Sequence, residues 1–277
     1  MNRQGPQPSV KGRWRWWMTL AVCLAGLLAA CFTVPQTGRS AFNIIGNSEE
    51  MSLGLKAFEE VKKKEKLCTD TNQVEMVQRV GRRISSVADR DIPNAKWEIV
   101  LFDNPEPNAF ALPGGKVGVY TGILEITKDD AGLATVMGHE VAHVAARHGA
   151  ERMSQAMALS GLAVGLSVGL NKESQRTQRL AALAFGLGVT LGAVLPHSRM
   201  QESEADRIGL TYMAKAGYPP QEGVAFWRRF REYNQKKGGA PPAFLSTHPT
   251  DEKRITDLEK LVPEAEVYYK TSGQGGN

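Results

Sequence analysis

The stretch MGHEVAHVAARHG, which begins at Met137, constrains the fold more than any other feature, because it contains three of the chain's five histidines. His139 and His143 are four residues apart, and this spacing places two side chains on one face of an α-helix. Both imidazoles can therefore bind one metal ion, with Glu140 beside them. A helix that is rich in histidine by chance is the alternative, and a third ligand is needed to decide.

The stretch SRMQESEADRIGL supplies that ligand, because Glu202 and Asp206 are again four residues apart on a predicted helix. We predict one Zn²⁺ per chain, bound by His139, His143 and Glu202. Asp206 is expected to accept a hydrogen bond from the other ring nitrogen of a ligand histidine. Glu204 points to another side of this helix and is expected to be a solvated surface charge.

This set of ligands indicates a catalytic site rather than a structural one. Two histidines and one glutamate leave the fourth position on zinc open, whereas structural zinc sites favour closed sets rich in cysteine. Zinc lowers the pKa of a bound water, and Glu140 can take its proton as a general base. The pattern therefore predicts hydrolysis of a peptide carbonyl.

The rest of the sequence predicts an α+β fold that is mostly helical and has a small antiparallel or mixed sheet. KWEIVLFD is typical of a strand, and NAFALPGGKVGVYTG has two apolar runs around a Pro-Gly-Gly turn, typical of a β-hairpin. Apolar spacing and cap residues predict helices over about 48–66, 74–87, 127–152, 199–215, 222–236 and 250–261. We assign one domain to residues 48–262 and predict a disordered tail over 263–277.

The N-terminal residues resemble a bacterial lipoprotein signal. A basic segment precedes the apolar run Met18–Ala30, and the run ends in LAAC, which resembles a lipobox. We predict a signal peptide over residues 1–30, a lipid on Cys31 and a polar tether over 31–47; an uncleaved membrane anchor is the alternative. Phe32 after the cysteine favours the outer membrane. The expected location is therefore the bacterial periplasm, with the protein anchored by lipid.

Charge and cysteine content argue against a nucleic-acid partner and against a framework of disulfides. Four of the 34 basic residues and none of the 29 acidic ones lie within the first 30 positions, so the rest of the chain is nearly neutral and nucleic acid is not an expected partner. Cys68 is the one cysteine that remains after Cys31, and a framework of intramolecular disulfides is therefore not expected.

Two apolar runs rich in glycine and alanine lie within residues 157–195 and are separated by the polar stretch NKESQRTQR. Each run is shorter than a helix that spans a bilayer. A pair of core helices packed through small residues is favoured, and a helical hairpin that touches a membrane or covers the site is the alternative.

HEVAH and ESEAD together resemble the gluzincin zinc metallopeptidases related to the CAAX prenyl protease. NAFALPGGKVGVYTGIL and FLSTHPTDEKRI extend the similarity, which is strongest to bacterial periplasmic lipoprotein members and to the mitochondrial inner-membrane protease with overlapping activity. The resemblance implies a zincin-like domain, the three zinc ligands given above and Glu140 as base. It also implies that Asn108, Ala109 and Phe110 lie on an edge strand that pairs with an extended substrate.

Two residues near the C-terminus have open interpretations. His248 is either a surface histidine before a helix or, as in periplasmic relatives, a ligand that closes the fourth zinc position and inhibits the enzyme. Arg254 is either a transition-state stabiliser for the oxyanion or a surface salt-bridge residue. His148 lies off the ligand face and is expected to be structural, and the role of His197 is open.

These features together predict a membrane-anchored zinc endopeptidase. By resemblance, its expected partners are unfolded, misassembled or stalled envelope proteins, which it would hydrolyse in quality control, and a membrane through the N-terminal lipid. A chaperone-like binding protein of the envelope with little proteolytic turnover is the alternative, although the intact Glu140 argues against it.

Overall fold

The structure is a computed structural model that describes residues 31–169, 198–238, 241–249 and 251–273. Within these ranges, five strands and nine helices follow one another along the chain. They are β1 (Cys31–Thr33), β2 (Ser40–Phe42), α1 (Asn47–Lys64), α2 (Thr71–Ala88), β3 (Glu98–Phe102), β4 (Ala109–Leu112), β5 (Lys116–Tyr120), α3 (Thr121–Thr127), α4 (Asp130–Ala145), α5 (His148–Gly169), α6 (Arg199–Lys215), α7 (Gln221–Lys237), α8 (Ala243–Thr247) and α9 (Glu252–Thr271). The prediction of a mostly helical α+β fold is confirmed.

The larger sheet has three strands in the order β3-β5-β4. β3 runs parallel to β5 and β4 runs antiparallel to it, so the sheet is mixed. The Pro-Gly-Gly turn joins β4 to β5, and both of its glycines have positive φ, a conformation that favours glycine. Because β5 lies between the other two strands, β4 is an edge strand of this sheet within the described residues, which agrees with what the family resemblance implied.

Helix α4 lies at the centre of the domain, packed against α2, α6, α7 and β4. Asp129 caps its N-terminus by accepting a hydrogen bond from the backbone N–H of Gly132. Almost every residue of this helix is buried, which explains why its apolar residues cover all sides of the helix rather than one stripe. The histidine motif is therefore in the core, away from bulk water.

Helices α4 and α6 approach each other closely at two glycines. A Cβ atom on Gly138 would lie 2.9 Å from the carbonyl oxygen of Gly209, and one on Gly209 would lie 2.9 Å from the backbone nitrogen of His139. Ser198 and Gln201 form a capping box that fixes the start of α6. The close contact brings Glu202, in the first turn of α6, against the histidines of α4.

The structure differs from the prediction of a polar tether over residues 31–47. β1 and β2 pair as an antiparallel hairpin, which we call the N-terminal hairpin (residues 31–42). Val34 is fully buried, and Ala41 and Ile45 also contribute to the core. The segment folds onto the domain because it buries these apolar side chains. The prediction of a tether considered its polar residues alone.

The C-terminal segment also differs from its prediction. Helix α9 continues through Pro263 to Thr271, although residues 263–277 were expected to be disordered. Ala265 is buried in the core, and the ammonium of Lys215 lies 4.6 Å from the ring centroid of Tyr268. These contacts stabilise two further turns of helix.

Several predicted segments lie outside the described residues: the signal peptide (1–30), His197, the second apolar run, and Thr250 as a helix start. The first apolar run continues α5 as far as Gly169. Among the helices that the structure describes, none is both long and apolar enough to cross a membrane.

Candidate metal centre

Four buried side chains converge at the junction of α4, α6 and the residue after α8. They are His139, His143, Glu202 and His248, and one ligand atom from each lies within 4.8 Å of the others. The first two histidines lie one turn apart on α4, and Glu202 faces them from α6. The sequence predicted three of these residues as ligands, and the fourth was one of two open interpretations.

The distances between the ligand atoms fit a tetrahedral metal ion. Nε2 of His139 lies 3.1 Å from Nε2 of His143 and 3.4 Å from Oε2 of Glu202. Nε2 of His143 lies 3.3 Å from Oε1 of Glu202. Tetrahedral zinc with bonds of about 2.0–2.1 Å requires ligands about 3.3–3.4 Å apart. The chemistry and spacing of the donors therefore fit one zinc ion.

His248 stands at the fourth corner of this tetrahedron. Its Nδ1 lies 3.1 Å from Nε2 of His139 and 3.0 Å from Oε1 of Glu202. Its ring packs against Phe244, with ring centroids 4.6 Å apart, and its backbone N–H donates to the Phe244 carbonyl. His248 is thus buried and fixed in place by α8, which excludes the interpretation as a surface histidine.

Glu140 lies next to the four ligands on the wall formed by β4. Oε1 of Glu140 is 3.2 Å from Nε2 of His248, and its carboxylate accepts a hydrogen bond from the backbone N–H of Ala111. Burial raises the pKa of Glu140 above its usual range, although the neighbouring histidines oppose this. A carboxyl with a raised pKa beside a metal site has the properties of a general base.

The predicted substrate strand borders this site. Ala109 and Phe110 belong to β4, and Asn108 precedes it and accepts a hydrogen bond from the backbone N–H of Tyr120. The ring of Phe110 packs over Gly118 and stacks on Phe102, so it belongs to the sheet's own packing. Contact with a substrate would therefore come from the backbone of β4 rather than from this ring.

Asp206 and Arg254 form a buried pair behind His139. Oδ1 of Asp206 lies 3.0 Å from Nδ1 of His139, and Arg254 donates to both carboxylate oxygens at 2.8 and 2.7 Å. Arg254 also contacts Oε2 of Glu202 at 3.0 Å and packs on the Trp227 ring. Arg254 is therefore not a surface residue, and its guanidinium binds the carboxylates that support the site.

This pair sets the ionisation of the centre. Burial raises the pKa of Asp206, but the charge of Arg254 outweighs it, so the pKa lies below its usual range. Burial lowers the pKa of His139, but hydrogen bonds to Asp206 and Glu202 outweigh it and raise that pKa to about 9. A proton on His139 therefore competes with a metal ion for the ring nitrogen.

Glu204 is not the solvated surface charge that the sequence predicted. It is buried, and its Oε2 lies 2.9 Å from Nε2 of His148, whose Nδ1 lies 2.8 Å from Nδ1 of His143. Burial opposes ionisation of Glu204, but hydrogen bonds from His148, Thr37 and Arg39 outweigh it and lower its pKa to about 2. The prediction failed because the N-terminal hairpin covers the face of α6 that carries Glu204.

The sequence carries no local signal for this second network. Arg39 and Glu204 are 165 residues apart, and no motif spacing relates them. His148 was expected to be structural, and the structure places it in contact with a ligand histidine. The network forms because the N-terminal hairpin folds onto α6 and brings Thr37 and Arg39 against Glu204.

Comparison with known proteins gives an independent result. The family model described as peptidase family M48 matches residues 71–262. The mitochondrial metalloendopeptidase OMA1 of Schizosaccharomyces pombe is 37% identical over 242 residues, which are 86% of this chain and 68% of that protein. OMA1 of Bos taurus is 32% identical, over 91% of this chain and 51% of that protein.

A bacterial relative is more distant. The beta-barrel assembly-enhancing protease of Escherichia coli K12 is 27% identical over 87% of this chain and 49% of that protein. This chain thus spans about half the length of the cattle and bacterial relatives, and about two thirds of the fission yeast protein.

The predicted location, lipid-anchored at the outer membrane in a bacterial periplasm, is wrong, because the relatives with the higher identities are named as mitochondrial enzymes. The prediction rested on a basic, apolar N-terminal segment. Such a segment is weak support for one compartment, because mitochondrial targeting segments are also rich in basic residues and poor in acidic ones.

Proposed function

The chain belongs to peptidase family M48 and is a zinc metalloendopeptidase, and we propose that His248 holds it inactive until it is displaced by a substrate. One observation carries this proposal: His248 meets the other ligands through Nδ1 and Glu140 through Nε2. A single side chain therefore occupies the fourth position on the metal and also contacts the Glu140 carboxylate that is needed for catalysis. We further propose that the enzyme acts in protein quality control.

Glu140 is the general base and acid in this proposal. His139, His143 and Glu202 would hold a zinc ion, which would supply the Lewis acidity for activating a water and polarising the scissile carbonyl. Glu140 takes the proton of the attacking water and delivers it to the nitrogen of the leaving amine. Its raised pKa suits both steps, because the group must accept a proton and then release it.

The edge of β4 aligns the substrate. An extended peptide adds to an exposed strand edge through backbone hydrogen bonds, which demand little of its sequence. Ala109 and Phe110 lie on the strand that also donates to Glu140 through the backbone N–H of Ala111, and Asn108 directly precedes that strand. A peptide paired with this edge would have its scissile bond close to the base.

Substrates and membrane attachment are finer proposals. Backbone pairing suits unfolded chains, and one relative is named a beta-barrel assembly-enhancing protease, so we propose misfolded or stalled envelope proteins as substrates. We propose that the N-terminal region attaches the protein to a membrane. Cys31 as the lipidated residue stays a prediction, and mass spectrometry of the protein purified from membranes tests it: an unmodified Cys31 would contradict it.

The proposed function is tested with three forms of the full chain in detergent, each supplied with zinc: wild type, Glu140→Gln and His248→Ala. Cleavage of an unfolded protein is measured together with the zinc content of each form. We expect weak cleavage by wild type, at least tenfold faster cleavage by His248→Ala, and a loss of about 10²–10⁴-fold in Glu140→Gln, with zinc retained. Ser246→Ala, an exposed neighbour of His248 on α8, is the matched control and should cleave as wild type does.

The outcomes separate the competing readings. Equal rates for His248→Ala and wild type would refute inhibition by His248. If no form cleaves although all bind zinc, the protein is a chaperone-like binder with little turnover, and the assignment of Glu140 as base fails.

A further inference from the structure

The two ligand histidines on α4 are supported in different ways. His139 hydrogen bonds to Asp206 within α6, and Arg254 completes that pair. At Nδ1 of His143 lies the ring of His148, whose own Nδ1 is 2.8 Å away. Two imidazole nitrogens at this distance require that one carries the proton and the other accepts it.

The hydrogen-bond network assigns these protons. His143 turns Nε2 toward the metal position, so its hydrogen lies on Nδ1 and points at Nδ1 of His148. His148 must then carry its own hydrogen on Nε2, and this nitrogen lies 2.9 Å from Oε2 of Glu204. The chain of donors thus runs in one direction, from the zinc ligand through a neutral imidazole to a carboxylate.

Glu204 is buried, and an ionised carboxylate at such a place requires compensation. Arg39 donates through Nε to Oε2 of Glu204 at 2.7 Å, and Thr37 donates through its hydroxyl to Oε1. Arg39 also donates two hydrogen bonds of 2.9 Å to Glu151, a second buried carboxylate. One arginine therefore serves two buried acids next to the metal centre.

Arg39 and Thr37 come from the N-terminal hairpin, which precedes the residues that the family model matches. The residues that follow the hairpin are fixed to α5 and to the residue before it. The backbone N–H of Ile44 donates to Ser154 Oγ at 3.0 Å, and Arg147 donates to the carbonyl of Ile45 at 2.8 Å. The hairpin is thus held at the start of α5, where His148 lies.

We propose that the N-terminal hairpin is part of the metal centre: Arg39 and Thr37 hold Glu204, and Glu204 acts through His148 to fix the tautomer and orientation of His143. Arg39, Glu204 and His148 are positioning residues for the zinc ligand. The inference rests on the zinc site of the proposed function, but it does not require that the site be active. It makes zinc affinity depend on an arginine outside the matched domain.

The competing explanation is that Arg39 only attaches the hairpin to the domain. The two explanations predict different metal-binding properties for the variants. A residue that positions a ligand changes the affinity for zinc and the absorption spectrum of bound cobalt, typically by 10–100-fold in affinity. A residue that only attaches the hairpin changes stability and leaves the metal properties of the folded protein as they were.

The experiment uses the full chain in detergent and the variants Arg39→Gln, Glu204→Gln and their double combination. Zinc affinity is measured by competition with a chelating dye, and the visible spectrum is recorded with Co²⁺ in place of zinc. We expect each single variant to lower zinc affinity about tenfold and to shift the cobalt bands. The double variant should lose no more zinc affinity than the single variant that binds zinc less tightly, because both changes interrupt one chain of hydrogen bonds.

Arg79→Gln is the matched control. Arg79 makes a bidentate pair with Asp130 at the start of α4, but its side chain is 51% exposed and distant from the ligands. Its loss should leave affinity and spectrum unchanged. Arg39→Lys keeps the charge without the forked geometry, so it should retain an intermediate affinity in a folded protein.

Wild-type zinc affinity and an unshifted cobalt spectrum in a folded Glu204→Gln protein would overturn the proposal. So would a tenfold loss in each single variant that multiplies to a hundredfold loss in the double variant, because the residues would then act independently. Neither readout involves proteolysis. If the wild-type protein binds zinc but cleaves nothing, the proposed function is refuted. The zinc affinities and cobalt spectra of the variants would still test this inference.

Discussion

The hydrogen-bonding groups of Arg254 are already engaged by residues of the site in the absence of a substrate. Its guanidinium donates to both oxygens of Asp206 and to the carbonyl of Pro249, contacts Glu202, and lies 3.6 Å from the centroid of the Trp227 ring. A buried arginine with this many partners keeps its charge, and its charge keeps Asp206 ionised. Its present geometry therefore supports the ligands rather than pointing at an empty oxyanion position.

We predict that Arg254→Lys lowers zinc affinity about tenfold and lowers kcat with it. Lysine keeps the charge but loses the bidentate geometry and the flat contact with Trp227. Titration with zinc and kinetics at saturating zinc separate the two effects. A fall in kcat with unchanged zinc affinity would instead identify Arg254 as the oxyanion stabiliser that the sequence left open. Arg231→Lys, which alters a more exposed pair with Glu252, is the control and should change neither value.

The packing of α4 against α6 determines the geometry of the centre. The first helix carries two ligands and the second carries one, and their axes approach at Gly138 and Gly209. A side chain at either glycine would meet backbone atoms, which cannot rotate away. The distance between the helices, and so the distance between the ligands, depends on these two residues.

We predict that Gly209→Ala destabilises the fold by about 1–3 kcal/mol and also weakens zinc binding. The added methyl group would lie 2.9 Å from the backbone nitrogen of His139 and would push that helix away from Glu202. Thermal unfolding and zinc titration test both effects. Gly149→Ala is the control, because among the described residues no atom outside its own stretch of helix lies within 4 Å of its Cβ position. That variant should be neutral or up to about 1 kcal/mol more stable, since alanine favours a helix.

A zinc affinity equal to that of wild type in a destabilised Gly209→Ala protein would contradict the link between helix spacing and ligand geometry. An equal gain of stability in both alanine variants would show that the substituted glycines act through helix propensity alone.

The same elements show what the sequence could and could not predict. The ligands on α4 and α6 were predictable because spacing of four residues on a helix is a local rule. The hairpin of β4 and β5 and its Pro-Gly-Gly turn were predictable because turn chemistry is local as well, whereas the edge position of β4 was implied only by the family resemblance. Glu204 was mispredicted because helical spacing indicates only which side a residue faces. It does not indicate what covers that side, and here a distant hairpin does so.

Length also limited the prediction of elements. β1 and β2 have three residues each, too few to show an alternating pattern, so their segment was assigned as a tether. The last helix was predicted to end at about residue 261, yet α9 continues through Pro263, because the buried Ala265 holds the next turns against the core. In both cases tertiary packing outweighed the local preference.

The metal centre joins segments that are far apart in the chain. Two ligands come from α4, one from α6 and one from the residue after α8, while the N-terminal hairpin supports the centre from a fourth direction. Zinc binds this assembled site and not the unfolded chain, so its binding free energy adds to the stability of the fold. Removal of zinc by a chelator should therefore lower the stability of the whole domain.

We predict that a chelator lowers the Tm, and that the difference between zinc-loaded and chelated protein grows as the pH rises from about 6.5 to 9. In the chelated protein, burial lowers the pKa of His139, but bonds to Asp206 and Glu202 raise it to about 9, above the ordinary value of 6.5. Protonated His139 therefore stabilises the chelated fold fully below pH 6.5, and this contribution is lost as the pH rises through 9. Zinc requires the neutral ring, so its contribution increases over the same range.

Scanning calorimetry at pH 6.5, 7.5 and 9 measures this difference, with chelator and with zinc at one fixed concentration of about 100 times its Kd at pH 9. It should reach about 5–10 °C at the upper pH. Glu140→Gln keeps all ligands and should show the same shift, whereas Glu202→Gln removes a ligand and should lose most of it. A shift that shrinks toward pH 9 would contradict the competition between the proton and the metal at His139. An equal shift in Glu202→Gln would place the zinc elsewhere in the molecule.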